Sequence, residues 1–178
     1  MSPGSTPTPT PGQTVGPFFG YALPFPHDNE LVPPGTPGAV RLHGRVYDGA
    51  GDPVPDAILE LWQSDAGGHV VQEPGSLRRD GFTFTGWGRA STDREGRYGF
   101  CTLEPGAPFF ALTVLARGVT NRLFTRAYLP GAADDPFLGS LEEGRRSTLL
   151  VTRDDTGFLF DVHLQGDQET VFLSYPRH

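Results

Sequence analysis

Apolar residues in this chain recur at every second position in short runs, and clusters of Gly, Pro and Asp separate the runs. In VRLHGRVYD, residues 40–48, Leu42, Gly44 and Val46 alternate with Arg41, His43, Arg45 and Tyr47, the period of a half-buried strand. After the turn cluster DGAGDPVPDA, the run AILELWQ puts Ala57, Leu59 and Leu61 on one face of a second strand. FTGWGRAST and RYGFCTL flank DREG, and FFALTVLAR and RLFTRAYLP flank GVTN, so each pair reads as a hairpin. STLLVTR leads through DDTG into FLFDVHLQ, where Phe158, Phe160, Val162 and Leu164 share one face and Asp161, His163 and Gln165 the other. ETVFLSY closes the series at about nine short strands, a spacing that predicts an all-β fold, an antiparallel β-sandwich or barrel. FLGSLEEGRRS, residues 137–147, predicts one helical turn, and no internal repeat or second domain is evident.

The N-terminus departs from this pattern. MSPGSTPTPTPG, residues 1–12, predicts a flexible Pro/Thr-rich tail, because proline blocks helix and favours extended chain. Residues 13–38 then form an arm ahead of a sandwich domain at 39–178. Its QTVGPFFGYALPF stretch carries aromatic side chains that seek burial, either on their own sandwich or on a partner chain.

Composition narrows the function. The 178 residues suffice for one domain with a real core, and 24 Gly with 18 Pro suit strands joined by many turns. A net charge of −7 argues against nucleic-acid binding. The lone Cys101 excludes an internal disulfide and reads as a small core residue. No apolar run is long enough for a membrane helix, and no secretory signal is visible, so a cytoplasmic protein is expected. The five His are scattered: His43 and His163 fall on polar strand faces, His27 and His69 in loops, and His178 ends the chain. That spacing contains no metal-binding pair. No nucleophile elbow or phosphate-cradling glycine loop appears, and the paired carboxylates read as turn or surface residues. All fourteen basic residues are Arg. Arg117 at a strand end and Arg126 within the next strand could each hold a carboxylate bidentately, or serve only as surface ion pairs.

Four long motifs in fixed order carry a resemblance. QTVGPFF, AILELWQSDAGG, FTGWGRASTDREGRYGFCTLEPG and FDVHLQGDQETVF resemble the intradiol ring-cleaving dioxygenases, from about residue 13 to residue 175. The likeness is to the metal-free, alpha-type subunits of that family's two-subunit enzymes. It implies a β-sandwich and a ferric ion, Fe(III), held by two Tyr and two His in a homologous iron-binding beta subunit. It also implies protocatechuate and O2 as substrates. The bond between the two hydroxyl-bearing ring carbons is cleaved, giving 3-carboxy-cis,cis-muconate. A higher-order assembly of alpha–beta heterodimers is implied too.

Within that resemblance the metal donors are missing. Val70, beside His69, stands where the first ligand Tyr is expected. EPGAPFF lacks the second Tyr, and Phe109 and Ala111 stand at the two His positions. No metal ligand and no catalytic residue is therefore assigned to this chain. The residues that match the family's alpha-side pocket wall are Thr14, Gly16, Pro17 and Arg117, with Phe18 where relatives can carry a Tyr. A non-catalytic carrier or binding module, and a dioxygenase with its own unrecognised ligands, are the competing readings.

Overall fold

The structure, a computed structural model, describes residues 11–73 and 79–175. All but two residues of the 1–12 tail, and His178, thus lie outside the described residues. Two sheets form a sandwich. The first contains β1 (Ala39–Tyr47), β4 (Arg97–Leu103), β7 (Thr152–Arg153) and β8 (Gly157–Leu159) in the order β4-β1-β8-β7, and β9 (Val162–His163) also pairs with β1. The second runs β3-β2-β5-β6, built from β2 (Ile58–Trp62), β3 (Trp87–Ser91), β5 (Phe109–Leu115) and β6 (Leu123–Tyr128).

The alternating positions supply the core between the sheets. Leu42, Gly44 and Val46 of β1 are buried, as are Ala57, Leu59 and Leu61 at β2 and Phe158, Phe160 and Val162 around β8 and β9. Phe110 of β5 meets Phe158 of β8 across the interior with ring centroids 5.7 Å apart. Tyr98 is buried with them and donates its hydroxyl hydrogen to the Phe160 carbonyl at 2.6 Å, while burial raises its pKa well above the ordinary tyrosine value.

Four connections differ from the pattern-based reading. DREG does turn the chain, with Asp93 accepting hydrogen bonds from the amides of Glu95 and Arg97. Yet β3 and β4 belong to different sheets, so the turn is a corner between layers and not a hairpin. Turn residues fix a local reversal but not the sheet that the next strand joins. FLFDVHLQ splits into β8 and β9, and both lie parallel to β1 in an otherwise antiparallel arrangement. The split is made at Asp161, whose carboxylate takes the amide hydrogen of Arg45 at 2.8 Å in place of a backbone carbonyl. ETVFLSY forms no strand but a bridge from Leu173 to Phe124, together with side-chain bonds such as that from the Thr125 hydroxyl to the Val171 carbonyl. It screens β6, an outer strand of its sheet. Finally, residues 136–147 hold two short helices, α2 (Pro136–Gly139) and α3 (Glu143–Ser147). Asp135 caps the first by accepting from the amides of Phe137 and Leu138.

The arm is partly built into the sandwich. Its α1 helix (Phe19–Ala22) lies on the surface, but Leu31 and Val32 are buried. The Asp28 carbonyl accepts the Arg89 amide of β3 at 2.7 Å, and the Leu31 amide donates to the Cys101 carbonyl of β4 at 2.8 Å. Residues 28–32 therefore tie the outer strand of each sheet to the other. Burial raises the pKa of the Asp28 carboxyl in this tie, against the opposing pull of the Phe25 amide and the guanidinium of Arg89. Cys101 is only partly buried here, and burial again raises its pKa.

Gly44 is required by the crossing of β1 and the β8–β9 segment. A Cβ at this position would sit 1.9 Å from the Phe160 carbonyl oxygen, a backbone atom that cannot swing away. Gly44→Ala should lower stability by about 3 kcal/mol in urea unfolding, and an unchanged midpoint would contradict this crossing. At the DDTG turn, Asp154 accepts hydrogen bonds from the Thr156 amide and hydroxyl, the Gly157 amide and the His43 ring, which lower its pKa to about 2. A depressed carboxyl stabilises the fold above its unfolded pKa and loses that contribution as pH falls through the folded value. The stability gap between the native chain and Asp154→Ala should therefore shrink from pH 4 to pH 2, and a gap independent of pH would contradict it.

Candidate functional site

The hairpin turn between β5 and β6 is the point where the arm returns to the sandwich. Gly118 sits there at φ +87°, a conformation that glycine reaches without steric cost. Thr14 brackets this turn: its hydroxyl accepts the Gly118 amide hydrogen at 2.9 Å and reaches the Ala116 carbonyl at 3.4 Å. Arg117 lies between those two residues, so the backbone on both sides of it is tied to the arm. Its guanidinium Nη2 meets Asp56 Oδ2 at 2.9 Å and stays half exposed to solvent. The turn thus brings together two predicted residues, with Thr14 bonded to both chain neighbours of Arg117.

The other two predicted residues follow Thr14 along the arm. Gly16 offers its carbonyl to the Phe19 amide at 3.2 Å and so starts the α1 turn. A Cβ on Gly16 would meet no atom of the described residues within 4 Å. Nothing in this chain's own packing therefore demands a glycine there. Gly16 and Pro17 are both exposed, and the side chains beyond them project outward, with Phe18 75% and Tyr21 79% exposed. Burying either aromatic ring elsewhere would release roughly 2 kcal/mol. Two grooves flank the turn. One of about 370 Å³ lies between Gln13, Val15, Val119 and Arg122, and one of about 590 Å³ between Pro53, Pro55, Arg117 and Leu164.

Arg126 is engaged differently. Its guanidinium lies 4.2 Å from the Phe109 ring centroid, and its Nη1 donates to the Tyr128 hydroxyl at 3.0 Å. That hydroxyl donates onward to Asp135 at 3.2 Å, so Arg126 braces β6 against the α2 cap. Of the two arginines, Arg117 is the one bound up with the arm.

The four described histidines each have a partner. His43 shares a 2.8 Å contact with Asp154 and is part-buried, and His163 stacks on Tyr47 at 4.9 Å, so neither is a loose surface side chain. His69 lies 3.4 Å from Asp65, and His27 lies 3.1 Å from Glu30. Among the described residues, no three His, Cys, Asp or Glu side chains converge as a metal site. No helix among the described residues is long and apolar enough to cross a membrane.

A dioxygenase family profile matches residues 14–131, from the threonine that brackets the turn to the end of the β6 strand region. The chain belongs to the intradiol dioxygenase family. It is 35% identical to the protocatechuate 3,4-dioxygenase alpha chain of Burkholderia cepacia, over 92% of this chain and 96% of the relative. It is 33% identical to the beta chain from the same organism, over 83% of this chain and 74% of that one. The dioxygenase domain of a carbohydrate-binding fusion protein from Streptomyces sp. SirexAA-E superimposes with a TM-score of 0.56 at 27% identity, covering 89% of this chain and 99% of that one.

Intradiol dioxygenases use Fe(III). Within the family likeness, the motif reading set Val70, Phe109 and Ala111 at three of the four expected donor positions. Ala111 pairs with Trp62 on one side and Arg126 on the other, and Val70 is 78% exposed. None of the three carries a donor atom, and a fixed guanidinium stacks on the ring of Phe109. These residues do not fit a ferric ion. Asp56 is the residue that the sequence reading missed. Only the turn-forming DGAGDPVPDA cluster hinted at it, and nothing in that cluster pointed to Arg117, sixty-one positions later.

Proposed function

We propose that this chain is an alpha-type subunit of a protocatechuate-cleaving intradiol dioxygenase, and that a homologous beta subunit holds the Fe(III). The observation that carries the reading is a near full-length match to an alpha chain, supported by a sequence with no Tyr in EPGAPFF and with Val70, Phe109 and Ala111 at the other expected ligand positions. The shorter match to a beta chain supports a partner of the same fold. Intradiol cleavage breaks the bond between the two hydroxyl-bearing carbons and inserts both atoms of O2, so protocatechuate becomes 3-carboxy-cis,cis-muconate.

In this reading the chain forms one wall of the pocket at the boundary with its partner. Thr14, Gly16 and Pro17 supply a slim backbone edge, and Gly16 leaves room that a side chain would fill. Arg117 offers a half-exposed guanidinium whose planar fork matches the carboxylate of an aromatic acid. The exposed Phe18 and Tyr21 of α1 pack against the beta subunit, which gives these rings the burial that their own sandwich does not. The assembly repeats this heterodimer and works in the cytoplasm.

Expression of the chain alone and together with its candidate beta partner tests the reading. Iron, the colour of a tyrosinate–iron complex and protocatechuate-dependent oxygen uptake are expected only on co-expression. Colour and iron in the isolated chain would overturn it in favour of a self-contained enzyme. Failure to associate with any beta subunit would overturn it in favour of a binding module.

A further inference from the structure

The arm and the segment ahead of β2 meet around Arg117. Thr14 ties the backbone on either side of it to the arm. Asp56 holds its side chain through Nη2 at 2.9 Å. Gly20 of α1 packs over Asp56, since a Cβ on Gly20 would lie 3.6 Å from the Asp56 Cβ. Asp56 itself adopts φ +68°, and His27 is the only other non-glycine described residue at positive φ. Holding an aspartate in that conformation carries a steric cost. A half-exposed ion pair returns little stability. Stability alone is therefore a weak reason for the arrangement.

The geometry has a second consequence. A guanidinium presents five donors in a rigid plane, and Asp56 meets it at Nη2. Among the described residues, no hydrogen bond engages the other donor nitrogens of Arg117. A flexible arginine must lose several rotameric degrees of freedom to bind an anion bidentately. One that is already anchored by one nitrogen has lost most of them before the ligand arrives.

We propose that Asp56 is a positioning residue for substrate, holding one corner of the Arg117 guanidinium so that its free edge receives the carboxylate of an aromatic acid. The proposal rests on the reading of Arg117 as part of the pocket wall. It adds a specificity rule: ring substrates with a carboxylate gain from the Asp56–Arg117 pair, and uncharged catechols do not.

The test uses the alpha–beta complex and two substitutions suited to positive φ. Asp56→Gly removes the carboxylate without backbone strain, and Asp56→Asn keeps an acceptor oxygen in a residue that tolerates this conformation. The anaerobic dissociation constant of protocatechuate is measured beside kcat, KM and iron content. Asp56→Gly should weaken binding roughly fivefold with kcat and iron unchanged, and Asp56→Asn should restore binding to within about twofold. Catechol, which lacks the carboxylate, should bind all variants alike. In an Arg117→Ala background, Asp56→Gly should add nothing.

Additive losses in the double variant, equal losses for catechol, or failure of Asn to rescue would overturn the positioning role. If Arg117→Ala weakens protocatechuate binding while Asp56→Gly leaves it unaltered, only the role of Asp56 falls. If Arg117→Ala itself leaves binding unaltered, the pocket-wall reading of Arg117 falls with it.

Discussion

Residues 28–32 hydrogen-bond to an outer strand of each sheet, and that double tie determines where everything N-terminal to it can go. The Asp28 carbonyl takes the Arg89 amide from one layer, and Leu31 pairs with Cys101 in the other. Both outer strands thereby lose the open backbone groups that would otherwise invite another chain. The arm leaves this tie at a fixed point and is caught again where Thr14 brackets the β5–β6 turn. Between the two anchors it has no room to wander, so α1 lies on the surface with Phe18 and Tyr21 facing outward. Two apolar rings held in the open by their own chain make sense as one half of an interface.

The same anchoring suits the metal-free role proposed for the chain. Val70, Phe109 and Ala111 cannot ligate iron, and Arg126 adds a guanidinium stacked on Phe109. A fixed cation beside a would-be cation site is electrostatically hostile to a second one. What remains is a scaffold that presents a slim Gly16–Pro17 edge and a tethered arginine at its rim. In the proposed reading such a part adds binding and orientation while the reactive centre sits in the partner, a division that relieves the donor positions of their chemical constraint.

Much of the sandwich was legible in the sequence because burial on one face leaves a period of two, and β1 and β2 carry that period cleanly. Layer assignment was not legible. Nothing within DREG distinguishes a hairpin from a corner between sheets, since the same aspartate-centred turn serves both. The break at Asp161 was hidden because its cause lies in Gly44, more than a hundred positions away, whose missing Cβ lets the Phe160 carbonyl approach. The site divided along the same line. Thr14, Gly16, Pro17 and Arg117 were proposed from motif likeness, and the structure adds direct bonds from Thr14 to both neighbours of Arg117. Asp56 stayed out of reach because a turn residue carries no local mark of the distant arginine it holds.

The central claim is that this polypeptide contributes shape and charge to a catalytic pocket whose iron belongs to another chain. Anomalous diffraction at the iron absorption edge, from crystals of the co-purified complex, locates the metal directly. The account predicts a peak within the beta subunit alone, near the boundary that Arg117 faces. A peak enclosed by this chain's own residues, beside Ala111 and Phe109, would contradict it.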